Sequence, residues 1–360
     1  MDTILEEDFM QIQGRYDFSA LKGNSVFLTG STGLIGSQLV YFLNYLNQTQ
    51  DYHIKIYALA RSKEKVMKVF PSAMRDGVHF IYGDVLSLPK IDFRIDYLIH
   101  GASITSSRKF ISQAVETIDI AINGTLNLLR LAREKHVKSF VYLSSTEAFG
   151  LVSKEDYVWE GDLGYIDIAS PRSSYMESKR MCENLCACFA YEYGMSVKSI
   201  RLAQIVGIGT DWNDNRIAVY FARSIIEGTD IILKTEGKTR RPILYSSDAI
   251  TAILTVLLEG KSGNVYTAAN PKTFTSIRET AALLVEGIAR NSIGLRYEIE
   301  EMPIEYAPNS NLCLNPNVDK LLSLGWKPIV GLEESYRRMV EGMKKVFSGE
   351  RRAAVRGAGQ

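Results

Sequence analysis

A β-branched and aromatic run, SVFLTG (residues 25–30), stops at a glycine, and GLIGSQLVYFLNYL (33–46) then takes up helical spacing. A strand that hands over to a helix in this way is the first half of a βαβ unit. The pattern recurs. HIKIYALA (53–60) reads as a strand and the charged RSKEKVMKVF (61–70) follows it. GVHFIYGD (77–84) and IDYLIHGAS (95–103) are further strands, and one long helix is expected through FISQAVETIDIAINGTLNLLRLAREK (110–135). KSFVYLSS (138–145), SSYMESKRMCENLCACFAYEYG (173–194) and MSVKSIRLAQIVG (195–207) continue as strand, helix and strand. Strands alternating with helices predict an α/β fold with a doubly wound parallel sheet.

Beyond residue 207 the alternation loosens. NRIAVYFARSIIEG and SSDAITAILTVLLEG are helical, NVYTAA is a strand, and TSIRETAALLVEGIAR and GLEESYRRMVEGMKKVF are amphipathic helices. A smaller second lobe on the open end of the sheet is expected. The expected division is a strand–helix domain over 1–206, partly interleaved with a second lobe over 207–346, and a disordered tail over 347–360.

Composition narrows the partners. The chain is 46% hydrophobic and 23% charged, as ordinary soluble proteins are. With 42 basic and 41 acidic residues the net charge is +1. No overall field draws nucleic acid or a membrane surface, so local groups must hold any anionic ligand. MDTILEEDFM lacks the basic start of a secretory leader, and no apolar run reaches membrane-spanning length, so a cytoplasmic location is expected. Cys182, Cys186 and Cys188 fall on one helix. No histidine or second cysteine pair completes a metal site, and they read as small apolar residues in a reducing compartment.

LTGSTGLIGS (28–37) places Gly30, Gly33 and Gly36 at three-residue spacing between strand and helix. Gly30 permits the tight turn, Gly33 lets backbone approach a pyrophosphate, and Gly36 lets helix and strand pack closely. Thr32, Leu34 and Ile35 complete the turn and the helix N-terminus, whose free N–H groups suit phosphates. After the second strand, where an acidic residue would accept from an NAD ribose hydroxyl, the sequence has Arg61 and Ser62. They suit the 2′-phosphate of NADP, or Arg61 stacks on the adenine and tolerates either dinucleotide. Asp84, after the third strand, is in reach of the adenine amino group.

Tyr175 and Lys179 in SSYMESKR lie one helical turn apart on one face. An ammonium beside a phenol favours the phenolate. Bringing a phenol from near 10 to neutral takes roughly 4 kcal/mol, expected from Lys179 together with the positive charge of an oxidised nicotinamide. Tyr175 would then take a proton from a substrate hydroxyl. Upstream, VYLSSTEAFG (141–150) runs a buried strand straight into Ser145, Thr146 and Glu147.

In TGSTGLIGS, YGDV, LIHGAS, NGTLNLLRLA, VYLSSTEAFG, SPRSSYMESKR, RLAQIVGIG and RRPILYSSDA, in that order, the chain resembles the extended short-chain dehydrogenase/reductases of the nucleotide-sugar epimerase/dehydratase group, with a Rossmann-like fold. The resemblance implies a tightly held NAD or NADP, contacted also by Val85, Gly101, Ala102 and Ser103. It implies a nucleoside-diphosphate sugar substrate, with Ser145 on the reacting oxygen, Tyr175 as base, Lys179 as its tuner, and Thr146, Gln204 and Arg241 toward the substrate. Asn123 and His100 are implied as structural support. The chain departs from the group's usual Asn and Tyr in RLAQIVGIG, where Gln204, Val206 and Ile208 stand. A homodimer through helices 108–134 and 173–193 is implied as well.

Members of the group share an opening oxidation of the sugar at C4. Simple C4 epimerases commonly have a small hydroxyl residue at the position of Glu147, whereas dehydratases and UDP-glucuronate decarboxylases commonly have Glu. The resemblance therefore implies an epimerase, dehydratase or decarboxylase type acting through a transient 4-keto sugar with a recycled cofactor, in which Glu147 serves a step after the oxidation or else only a salt bridge or a cap to the following loop. A C4 epimerase and an NADPH-dependent carbonyl reductase are the alternatives, the latter favoured by Arg61.

Overall fold

The computed structural model describes residues 3–152, 156–300 and 313–357. In chain order the first half runs α1 (Thr3–Gln13), β1 (Ser25–Thr29), α2 (Leu34–Gln50), β2 (Lys55–Ala60), α3 (Lys63–Val69), α4 (Ser72–Arg75) and β3 (Val78–Tyr82). It continues through β4 (Tyr97–His100), α5 (Ser107–Ser112), α6 (Ala114–Glu134), β5 (Ser139–Ser145), α7 (Ser174–Tyr193) and β6 (Val197–Leu202). Then come β7 (Gln204–Val206), α8 (Ile217–Glu227), β8 (Ile231–Leu233), β9 (Arg240–Arg241), β10 (Ile243–Tyr245), α9 (Ser246–Glu259) and β11 (Val265–Ala268). β12 (Thr275–Ser276), α10 (Ile277–Leu283), β13 (Leu295–Tyr297), α11 (Asp319–Leu322) and α12 (Leu332–Gly357) end it.

The main sheet has seven strands in the order β3–β2–β1–β4–β5–β6–β11. Every pairing in it is parallel. Parallel strands need helical crossovers, and the helices cover both faces, so every residue of β1 is buried and the strand reads as one apolar run. On one face α1, α2 and α9 supply Phe9, Phe42, Leu43 and Ile253 to a fully buried core. On the other, α6 and α7 supply Leu128, Leu129, Cys182 and Cys186. The order reverses between β1 and β4. Loops leaving the carboxyl ends of these two strands go to opposite faces, and a crevice opens between them.

The second lobe has its own core of Val219, Phe221, Ala281, Tyr336 and Met339, carried by α8, α10 and α12. The chain after 207 does not stay in that lobe. α9 packs under the main sheet, and β11 pairs with β6 at its edge. MSVKSIRLAQIVG, expected as one strand, is two. β6 ends at Leu202, Ala203 donates to the Ala268 carbonyl, and β7 leaves to pair with β10. The long helix expected from residue 110 is also two, because Gln113 departs from helical dihedrals between α5 and α6. The break turns Phe110 inward onto Tyr175, and Ser174 Oγ clamps it by donating to the Phe110 carbonyl at 2.8 Å. MDTILEEDFM holds the start of α1, which the charge pattern alone did not reveal. α12 runs on to Gly357, through residues where a tail was expected; 358–360 lie outside the described residues.

Candidate active site

The turn after β1 is built as its glycines suggest. Gly30 sits at φ +72°, and a Cβ there would lie 2.6 Å from the backbone of Gly101. A Cβ on Gly36 would lie 2.2 Å from the Gly30 carbonyl oxygen. Gly33 caps α2 without any side chain filling the cap, so the first N–H groups of the helix stay available to an anion. A cradle this bare at a helix N-terminus fits a pyrophosphate, and the residues present fit a nicotinamide dinucleotide.

A cavity of about 1800 Å³ opens along the carboxyl ends of the strands. Every residue singled out in the sequence for cofactor, substrate or chemistry lines it. Gly30, Thr32, Gly33, Leu34, Ile35 and Gly36 form one wall, with Gly101, Ala102 and Ser103 after β4 beside them. Arg61, Ser62, Asp84 and Val85 lie at the end beyond β2 and β3. Ser62 accepts from the Lys65 amide as the N-cap of α3, which leaves its hydroxyl proton to donate. Arg61 is 71% exposed and only 3.9 Å from Asp84, a loose surface pair. Lys65 and Lys68 line the same end, two cations the sequence had not singled out. Ser145, Thr146, Glu147, Tyr175 and Lys179 line the middle, and Gln204 and Arg241 the side toward the second lobe.

Ser145 ends β5, and its Oγ accepts from the Glu147 amide at 3.2 Å, closing the short turn Thr146–Phe149. Its own proton remains free to donate. Tyr175 and Lys179 are buried on α7. The Tyr175 ring stacks on Phe110 with centroids 4.2 Å apart and planes 11° apart. Lys179 Nζ donates to the Leu143 carbonyl at 2.7 Å and lies 5.4 Å from the Tyr175 ring centre. Glu147 Oε2 accepts from Arg172 Nη2 at 2.8 Å, so its carboxylate is ion-paired.

Around Tyr175 the chain's own groups oppose one another. Burial pushes its phenol well above the ordinary range, and the Glu147 carboxylate pushes it further. A hydrogen bond from Ser145 and the charges of Arg216 and Arg172 pull the other way. Lys179 is itself desolvated and pushed down to about 8, with Cys182 and Glu183 opposing. The expected depression drew on Lys179 and on an oxidised nicotinamide together. The chain's own groups give the opposite sign, because loss of hydration outweighs their charges.

Several supports were not legible beforehand. Arg201 forks onto Glu183 at 2.9 and 2.7 Å, and Ser144 Oγ donates to the same carboxylate, fixing the end of β5 from below. Arg180 donates to the carbonyls of Ala148, Phe149 and Gly164. His100 is fully buried between the hydroxyls of Thr29 and Thr125, and burial takes it down to about 3, so it stays neutral. Asn123 is exposed and bonds Asp119 within α6. The helix asparagine that braces the loop after β3 is Asn127, donating to the carbonyls of Val85 and Leu86. Arg172 lies three residues before Tyr175, and that one-turn spacing was the signal available for it.

The model of the NAD dependent epimerase/dehydratase family matches residues 26–269, more than half of the chain and the part that supplies most of this cavity's lining. The chain belongs to that family. Among its relatives, UDP-glucuronic acid decarboxylase 1 of Danio rerio is 26% identical over 328 residues, covering 88% of this chain and 72% of that protein. The dTDP-D-glucose 4,6-dehydratase of Mus musculus is 24% identical over 330 residues, covering 89% of each. In fold the chain is similar to the UDP-glucose 4-epimerase of Thermotoga maritima, solved with UDP-glucose. That match has a TM-score of 0.75 at 20% identity and covers 90% of this chain and 99% of the other. As a member of the epimerase/dehydratase family the chain is an NAD-dependent enzyme.

Proposed function

We propose that this enzyme modifies a nucleoside-diphosphate sugar through a transient 4-keto sugar with a recycled NAD or NADP, and that it dehydrates or decarboxylates rather than merely epimerises. The observation that carries this is Glu147, a carboxylate on the same cavity wall as Ser145 and Tyr175. Inverting C4 needs only a hydroxyl and a base. A second acid or base group has work to do when a proton must move at C5 or a hydroxyl must be held while carbon dioxide leaves. The two relatives described above, a decarboxylase and a dehydratase, lie on the same side.

A bound nicotinamide dinucleotide supplies a reversible two-electron acceptor. Tyr175 takes the proton of the C4 hydroxyl, and Ser145 donates a hydrogen bond to the same oxygen. Lys179 provides a cation that favours the phenolate. Arg241 lines the cavity, and its guanidinium, which makes no hydrogen bond among the described residues, offers its fork to a diphosphate. Glu147 then holds or moves the second proton.

The test is to denature the purified enzyme, identify the dinucleotide released, and offer a panel of nucleotide sugars read by mass and stereochemistry. We expect a product lighter by water or carbon dioxide with no net consumption of cofactor. Unchanged mass with inverted C4 would make the enzyme an epimerase, and stoichiometric use of NADPH would make it a reductase.

We also propose a homodimer through α6 and α7, which expose Val115, Ile118 and Met181; a monomer by light scattering at micromolar concentration would count against it. In the described residues no helix is long and apolar enough to cross a membrane. The cytoplasm is our proposal from the four free thiols.

A further inference from the structure

Three buried or half-buried arginines surround the end of β5, and the fold uses them very differently. Arg180 gives its fork to three backbone carbonyls. Arg201 gives its own to both oxygens of Glu183 and to the Glu160 carbonyl. Arg172 is only 9% exposed, yet among the described residues its guanidinium makes one hydrogen bond, to Glu147 Oε2. Its Nη1 is buried without a partner. Buried N–H groups are normally paired, because an orphan bears its full desolvation cost. An arginine kept to hold the fold would have its donors satisfied, as Arg180 does. The single bond of Arg172 goes to the carboxylate in the cavity wall.

We propose that Arg172 is a positioning residue that fixes Glu147 for the step after oxidation. Its guanidinium takes Oε2, which leaves Oε1 without a hydrogen bond among the described residues and so available to substrate. It also lies 5.0 Å from the centre of the Phe110 ring, and Phe110 is the ring stacked on Tyr175. Arg172 thus holds the carboxylate of the second step against the same aromatic support that orients the base of the first. A glutamate has three rotatable bonds, and freezing them before substrate arrives removes an entropy cost from the reaction. The inference rests on Glu147 serving the second step, as proposed above.

The test is a double-mutant cycle of Arg172→Met and Glu147→Gln, with Arg172→Lys as the conservative variant. Cofactor content and melting temperature establish that each variant is folded and loaded. Two rates are read on adding substrate: appearance of the reduced nicotinamide absorbance, and release of the lighter product. Arg172→Met should slow product release by about 10²-fold, the cost of a misplaced catalytic group, and slow the oxidation far less. Arg172→Lys, which keeps the charge but not the fork, should fall between Met and wild type. Combined with Glu147→Gln, Arg172→Met should add little, since the two act as one unit. If Arg172→Met does not fold, the cycle runs on Arg172→Lys. Multiplying costs in the double variant, or wild-type product release by the Arg172 variants, would overturn the proposal. Normal turnover by Glu147→Gln strikes the two-step reading, whereas a stalled Glu147→Gln beside a normal Arg172 variant strikes only the role of Arg172.

Discussion

Tyr175 sits in a contest between burial, which raises its phenol, and a ring of donors and cations that lowers it. Removing the hydroxyl tests the outcome without disturbing the packing, because a phenyl ring keeps the stack on Phe110. Tyr175→Phe should lower turnover by about 10² to 10⁴, the usual worth of a positioned acid or base, while cofactor content after purification stays at the wild-type level. Wild-type turnover would remove Tyr175 from the chemistry. The pair Tyr175 and Lys179 was visible in the sequence because helical spacing fixes which residues share a face. The sign of the shift on Tyr175 was not visible. It depends on how much water the folded chain excludes and on Glu147 and Arg216, which approach from other segments.

At the scale of the element, the first βα turn shows two effects of opposite sign on one residue. Gly36 lies in α2, where replacing glycine by alanine ordinarily favours a helix by about 1 kcal/mol. Here the added Cβ would fall 2.2 Å from the Gly30 carbonyl oxygen and 2.8 Å from its carbon. Both are backbone atoms of the turn itself and cannot swing aside. Overpacking of this kind costs about 1–3 kcal/mol and displaces the turn. Gly36→Ala should therefore lower the melting temperature and abolish retention of dinucleotide through purification, checked by scanning calorimetry and by the absorbance of the denatured extract. A raised melting temperature would show that helix propensity wins. This element was legible in the sequence down to the role of each glycine, because a strand–turn–helix unit is a local structure.

Across the whole molecule, the N-terminal helix is tied to the C-terminal one. Asp8 of α1 is 1% exposed, ion-paired with Arg338 of α12, and accepts from the Tyr245 hydroxyl at 2.8 Å. Leu5 of the same helix lines the cavity, so this clamp joins both ends of the chain to the site. Burial raises the Asp8 carboxyl from 3.8 to about 6 despite Tyr245 and Arg338. A carboxyl that holds its proton more tightly when folded favours the folded state at low pH, and loses that contribution as pH rises from 3.8 through about 6. Asp248 contributes in the same window, since burial raises it to about 6 as well. Asp8→Asn should flatten the fall of melting temperature across that window without abolishing it. A curve parallel to wild type would mean that Asp8 does not titrate there.

Local order is what the sequence by itself determined: the βαβ alternation, the glycine turn, the one-turn spacing of Tyr175 and Lys179, and the hydroxyls and carboxylate at the end of β5. Each follows from the period of a strand or a helix, or from the dihedral freedom of glycine, within a few residues. Only the tertiary structure decided what these pieces meet. It broke the long helix at Gln113 so that Phe110 could support Tyr175, and it sent β11 and α9 back into the main sheet. It set Glu147 against Arg172 and put Arg201 onto Glu183 beneath Ser144. Those contacts join segments distant along the chain. Burial and charge act through space, so no periodicity along the sequence records them.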